Sequence, residues 1–371
     1  MKPYTFFALG RVLAAMFASM LLLVAVGCYK TVEYTPSPLP TPVADDFIRG
    51  ADLSFLPQIR QNGTTFADTA GIAADALDIL KANGCNTVRL RLWHTPADGH
   101  SGLAEVVAFA KEVKSKGLRV WLDIHYADTW ADPSQQPKPA AWAATTPLAL
   151  GDSVAEYTTR VVKAVEPDVV QVGNEINGGF LWQTGNISNP TNFTALLKRG
   201  ITAVRNARPT AKVMIHYAGT SGAEYFYNLL AQNGVEYDLI GISYYPQWHG
   251  KSIDSLHTAL AGLHTRFGKP IVIAETAYPF TLGWADYTNN VVGLSSQIIP
   301  TYPATPNGQK AFLLAVRNAV AGVSPTGGFC YWSPDWVAYR GATATNGSSW
   351  ENQALFDFNR RALPAVAVFA K

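Results

Sequence analysis

The chain has 371 residues, of which 48% are hydrophobic and 15% charged, so it can bury a large core and is not a disordered polymer. Its formal net charge is +2 and nothing in it resembles a phosphate-binding surface, which excludes nucleic acid as a partner. Neither a CxxC nor an HExxH pattern occurs, so no catalytic metal and no cofactor is expected.

The amino terminus reads as a targeting segment. Lys2 and Arg11 precede an apolar stretch from Val12 to Val26, shorter than the ~20 residues of a membrane-spanning helix, and residues 1–27 fit a secretory signal. The stretch ends Val24-Ala25-Val26-Gly27-Cys28. A small residue before Cys resembles the bacterial lipoprotein processing site, so Cys28 is expected to carry lipid and tie the protein to a membrane. Plain cleavage near Gly27 with an incidental Cys is the alternative. Alternating Pro36, Pro38, Pro40 and Pro42 then make residues 28–45 a stiff, extended tether. These features imply an exported protein, held at a bacterial cell envelope or cell surface, or otherwise secreted. Residues 46–371 form one domain, with no internal repeat.

From residue 47 onward, runs of strand character alternate with helical spacing. The runs are Phe47–Leu53, Thr87–Trp93, Arg119–Tyr126, Val169–Glu175, Lys212–Ala218, Leu239–Tyr245, Ile271–Ala277 and Gly328–Ser333. Helical spacing covers Ile72–Leu80, closed by Asn83-Gly84, then Leu103–Lys116 before Gly117, and Val154–Val165. Eight such pairs predict an α/β fold, a single (β/α)8 TIM barrel. A doubly wound open sheet competes, but it would show a glycine-rich loop after the first strand, and Ala51-Asp52-Leu53-Ser54-Phe55-Leu56 has none. Long catalytic-face loops follow strand three, about Ala127 to Leu150, and strand seven, about Tyr278 to Pro306; loops this long are usually functional. Cys85 and Cys330, at or in strands two and eight, read as buried free thiols, with a disulfide the lesser reading.

Glu175 and Glu275 each close an apolar run, where barrel enzymes do their chemistry. Two such carboxyls suggest the acid and the nucleophile of a glycoside hydrolase, approaching to ~5 Å if the enzyme is retaining. The plainer reading of either glutamate alone is a strand-end charge paired to an arginine. Asn174 is placed to hold a sugar hydroxyl. In strand two Arg89, Arg91 and Trp93 share one face, because alternate residues point the same way. A buried arginine needs a carboxylate, and Glu275, Asp52 and Asp123 are all open candidates. Asp123 and His125 share a face in strand three. Polar neighbours keep Glu275 ionised, while a less solvated Glu175 stays protonated. Tyr244 is expected to donate a hydrogen bond to Glu275, and Trp332 to present its flat face to a pyranose. Aromatics are 12% of the chain, with 10 Trp, many beside strand ends.

Longer motifs carry a resemblance. They are Arg49-Gly50-Ala51-Asp52-Leu53-Ser54, Asn86 to Trp93, Asp123-Ile124-His125-Tyr126-Ala127-Asp128-Thr129-Trp130, Lys138-Pro139-Ala140-Ala141-Trp142, Val172-Gly173-Asn174-Glu175-Ile176-Asn177, Ser243-Tyr244-Tyr245-Pro246-Gln247-Trp248-His249-Gly250, Ala274-Glu275-Thr276 and Asn352 to Asp357. Over about residues 47–365 the chain resembles glycoside hydrolase family 53, the arabinogalactan endo-β-1,4-galactanases of a retaining clan. The resemblance implies Glu175 as acid/base, Glu275 as nucleophile and Asn174 at the reactive sugar's 2-hydroxyl. It implies a groove lined by Trp93, His125, Asp128, Trp130, Tyr244, Trp248, His249 and Trp332, and β-1,4-galactan of pectic polysaccharide as substrate. Bacterial members often carry a calcium loop after strand seven. Here Thr281 to Asn290 holds one Asp, against the six to eight oxygens calcium takes, so that site is not expected. Another β-linked polymer (mannan, xylan, cellulose), or glycan binding without cleavage, are the alternatives. A monomer is expected.

Overall fold

Eight runs of β-branched and apolar residues become eight parallel strands. They are β1 (Ile48–Asp52), β2 (Thr87–Leu92), β3 (Arg119–Ile124), β4 (Val169–Val172), β5 (Lys212–Ala218), β6 (Leu239–Ser243), β7 (Ile271–Thr276) and β8 (Gly328–Tyr331). The computed structural model describes residues 43–371. The expected signal segment, Cys28 and nearly all of the tether lie outside the described residues. Each strand pairs with its sequence neighbours, and β1 pairs with both β2 and β8, closing the barrel. The (β/α)8 expectation is met.

Side chains alternate between two cores. Ile48, Trp121, Val169, Met214, Leu239, Val272, Ala274 and Cys330 form a small cluster that fills the barrel's interior. Intervening residues such as Val120, Leu122 and Ile124 join the larger cluster between strands and helices. Cys330 sits in the first cluster and Cys85 in the second, both as free thiols.

Helix starts follow capping chemistry. Thr146-Pro147, Asn189-Pro190 and Thr305-Pro306 each put a side-chain acceptor before a proline. The cap at Thr146 starts Pro147–Val165 seven residues earlier than the periodicity of Val154–Val165 implied, which shortens the loop after β3. Conversely, the first barrel helix begins at Ala76, not Ile72, because Asp75 caps it by accepting from Leu77 N–H. Ile72 is left exposed beside a two-stranded hairpin. The eighth helix is replaced by a 3-10 segment, Pro364–Phe369, whose Phe369 stacks on Phe329 of β8. No helix among the described residues is long and apolar enough to cross a membrane.

One irregularity positions the site. Ile242 of β6 pairs with Ile273, but Ser243 pairs with Glu275; on the other side Phe329 pairs with Ile273, but Tyr331 with Thr276. Strand β7 therefore carries one extra residue, a β-bulge. Val272 and Ala274 already face the interior, so unbroken alternation would send Glu275 outward. The bulge turns it into the barrel mouth.

Candidate active site

A cleft of about 750 Å³ opens at the carboxyl ends of the strands, and both Glu175 and Glu275 line it. Its floor is organised by Arg89, which is 1% exposed. The guanidinium reaches Asp52 at 2.7 Å, Asp123 at 2.9 Å and Glu275 Oε1 at 2.8 Å, so all three candidate carboxylates share it. It also donates to Asn174 Oδ1 at 2.9 Å and Gln171 Oε1 at 3.2 Å. Burial alone would discharge such a group, and the three carboxylates hold it charged, its pKa well above the ordinary arginine value. Arg91 differs. Among the described residues it has no carboxylate partner; it lies among Phe55, Trp93 and Trp130, 4.2 to 4.7 Å from the ring centres, with Ser101 Oγ at 2.8 Å. Burial lowers its pKa to about 10.

Glu275 has one oxygen on Arg89 and the other accepting from Tyr245 O–H at 2.9 Å. Glu175 lies three residues beyond β4, in a left-handed backbone conformation with φ 47°. Gln136 holds that turn by donating to the Asn174 carbonyl at 2.8 Å. Glu175 Oε1 accepts from Ser243 O–H at 2.6 Å. Ser243 is also the register partner of Glu275, and the two carboxyls line one cleft close enough for each to feel the other's charge. Burial raises the pKa of both. The Glu275 charge adds to the rise on Glu175, and the Arg89 cation opposes the rise on both, but Arg89 is ion-paired at 2.8 Å to Glu275 and only nearby to Glu175. The proton the pair holds therefore resides on Glu175.

Around them, His125 Nδ1 accepts from Ala131 N–H at 3.1 Å, which leaves Nε2–H to donate to Asp123 at 2.9 Å. Burial lowers the His125 pKa, so the ring is neutral. Asn174 gives one amide proton to the Ala131 carbonyl at 2.8 Å. The wall is aromatic. Trp332 meets Trp350 edge-on at 4.6 Å, Trp336 stacks on Phe55 at 3.9 Å, and Trp130 completes the row 6.2 Å from Trp332. Trp248 is 55% exposed at the rim, beside His249, whose pKa burial lowers to about 4.

Arg89, Arg91, Asp123, His125, Trp130, Asn174, Glu175, Trp248, His249, Glu275 and Trp332 thus meet in one cleft. Three expected residues do not. Tyr244 points to the helix layer, stacks on Phe312 and donates to the Gly250 carbonyl. Leu239, Gly241 and Ser243 take the inward positions of β6, so the inward tyrosine is Tyr245. Trp93 is buried edge-on behind Trp130, at 5.3 Å. Asp128 spends both oxygens on the backbone N–H groups of Thr95 and Ala140, tying two loops together. The motif reading missed Tyr245, Ser243, His216, Trp336 and Trp350. Counting alternate residues from Leu239 finds the first two and counting on from Met214 finds His216; nothing local marks Trp336 and Trp350.

Asp286, in the loop after β7, lies beside the buried Glu351. Each bonds a backbone N–H with one oxygen and leaves the other buried without a protein partner. Burial, with the Asp286 charge, raises the Glu351 pKa. No group of three or more His, Cys, Asp or Glu side chains that would hold a metal occurs among the described residues. Asn290 Oδ1 and Asn352 Oδ1 in the same region are likewise buried without a hydrogen-bond partner, so these four oxygens are donors of the kind calcium takes, and no catalytic step draws on them.

Residues 48–369 match the family described as glycosyl hydrolase family 53. A protein of Cellvibrio japonicus named arabinogalactan endo-beta-1,4-galactanase is 36% identical, over 95% of each chain. Among solved structures, the family 53 catalytic domain of Ignisphaera aggregans superposes with a TM-score of 0.83 at 40% identity, covering 89% of this chain and 98% of that one. A fungal beta-1,4-galactanase superposes with a TM-score of 0.76 at 32% identity, covering 87% and 98%.

Proposed function

The chain belongs to glycosyl hydrolase family 53, and on that premise we propose that it is a retaining endo-β-1,4-galactanase acting on the galactan side chains of pectic polysaccharide. One observation carries the chemistry: two carboxyls share a cleft, one ion-paired to a buried arginine and the other held by a neutral hydroxyl. Glu275, kept anionic by Arg89 and aimed by Tyr245, attacks the anomeric carbon. Glu175, kept protonated by burial and by the Glu275 charge, gives its proton to the leaving oxygen. A glycosyl–Glu275 ester results. Glu175, now ionised, takes a proton from water, which attacks the same carbon and restores both groups. The second amide proton of Asn174 is the donor for the 2-hydroxyl, and Trp332 and Trp350 give sugar faces an apolar platform.

Product analysis tests this. Digestion of β-1,4-galactan should release short oligosaccharides whose new reducing ends first appear as the β anomer. Inversion, or preferential cleavage of mannan, xylan or cellulose in a parallel panel, overturns the assignment. Galactan binding without cleavage would make the protein a glycan-binding module. Anchoring through Cys28 at a bacterial envelope is part of the same proposal, supported by the apolar stretch and the Val26-Gly27-Cys28 sequence. Loss of membrane association in Cys28→Ser tests it. A monomer is the accompanying proposal for the working unit, tested by its sedimentation mass.

A further inference from the structure

Ser243 and His216 are fully buried polar side chains to which the double displacement assigns no task. Ser243 Oγ lies 2.6 Å from Glu175 Oε1 and 2.8 Å from His216 Nε2. A hydroxyl has one proton to give, so its neighbour decides where that proton points. The Glu175 backbone N–H, which only donates, points at His216 Nδ1 at 3.4 Å, and the Gln171 amide nitrogen lies 3.0 Å from the same atom. Asn174 Oδ1, also 3.0 Å from Nδ1, is already occupied by donors from Arg89 and Gln171. Nδ1 is therefore the acceptor nitrogen. Burial, with Arg89 nearby, lowers the His216 pKa well below its ordinary value, so the ring is neutral and its proton is on Nε2. That proton goes to Ser243 Oγ, and the hydroxyl is left with Glu175 Oε1 as its acceptor.

Resting on the assignment of Glu175 as the acid, we propose that the His216–Ser243 pair is a positioning device: it keeps Glu175 Oε1 an acceptor in every protonation state, so that the transferable proton resides on Oε2. An acid free to carry its proton on either oxygen would spend part of its time with the proton turned toward the barrel wall. The pair links β5, β6 and the turn after β4, three elements that meet only in the closed barrel. The other groups bearing on Glu175 are Glu275 on β7, Arg89 on β2 and Asp132 in the loop after β3, with Tyr245 of β6 alongside. Of these, Glu275 and Asp132 add to the upward push of burial on Glu175, and Arg89 acts with the Ser243 hydrogen bond against it.

The test measures kcat and KM against pH for Ser243→Ala, Ser243→Thr and His216→Phe. Two substrates are used: galactan, and an aryl β-1,4-galactobioside whose phenolate leaves without a proton. Ser243→Ala should lose about tenfold or more in kcat on galactan, part of the 10²–10⁴ a general acid supplies, with KM little changed. The loss on the aryl substrate should be much smaller, and the alkaline limb of kcat/KM should move up. Ser243→Thr, which keeps the hydroxyl, should restore both. His216→Phe, which removes the donor to Ser243, should move the limb the same way, and serves if the alanine variant does not fold. Equal losses on both substrates with an unmoved limb overturn the proposal. Glu175→Gln run alongside separates the two claims. Where the Ser243 variant shows such equal losses, a Glu175→Gln variant that spares the aryl substrate's first step but abolishes galactan cleavage means that only the positioning role falls; if Glu175→Gln still cleaves galactan, the assignment of the acid falls.

Discussion

The floor and the wall of the cleft come from one barrel by different means. The floor is charge carried on strands or at their ends: Arg89 on β2, Asp123 on β3, Glu275 on β7, each with hydrogen bonds that fix its direction. The wall is aromatic surface carried on loops: Trp130 after β3, and Trp332, Trp336 and Trp350 after β8. The two adjacent arginines show the division sharply. Arg89 holds three carboxylates, whereas Arg91, two residues on, holds none and is caged by rings. Charge that must be placed to a fraction of an ångström is put on rigid elements, and surface that must meet a polymer is left to loops.

Substitutions break this comparison at graded depths. Glu275→Gln should reduce reducing-end release from galactan by several orders of magnitude while far-UV circular dichroism and melting stay near native; near-native turnover would end the assignment. Arg89→Leu strands three buried carboxylates and should cost about 3–5 kcal/mol in denaturant unfolding. A loss under 1 kcal/mol would mean the floor is not organised by that cation. Tyr245→Phe removes a hydrogen bond to a charged group and should lower kcat about tenfold, against little change in Tyr244→Phe. The reverse ranking would return the role to Tyr244. On the wall, Trp332→Ala should raise KM for galactan severalfold with kcat largely kept; an equal fall in kcat would erase the distinction between wall and floor.

A pH-dependent effect concerns Asp335, on the loop that carries the wall. Burial pushes its carboxyl up to about 8. The folded pKa lies above the unfolded value of about 4, so the folded state binds the extra proton between them, and the group's contribution to stability is lost as pH rises through that window. Asp335→Asn should therefore gain on the parent protein as pH goes from 5 to 8. Melting temperatures that diverge in the opposite direction would place a charged, not a neutral, group there.

Much of the site was legible because strand periodicity is local. Arg89 and Arg91 fall on one face by simple alternation, as do Asp123 and His125, and they were found. The same rule, counted from Leu239, selects Tyr245 over Tyr244; the motif attracted attention to the wrong tyrosine. Asp128 looked like a groove residue because it sits among motif aromatics, yet its carboxylate is consumed by two backbone N–H groups. Trp336 and Trp350 were missed because they stand in loops with no period, and only the fold of those loops lays them beside Trp332.

The order of apolar runs and helical segments by itself determined an eight-fold barrel and placed Glu175 and Glu275 at strand ends, since burial periodicity is written residue by residue. Whether those carboxyls face one another was decided only in three dimensions. The extra residue in β7, which reverses the facing of Glu275, appears as a register shift against both neighbouring strands, and the left-handed turn that presents Glu175 is held by Gln136 from another loop. Pairing register and backbone handedness depend on partners far away in the chain, so no local pattern encodes them.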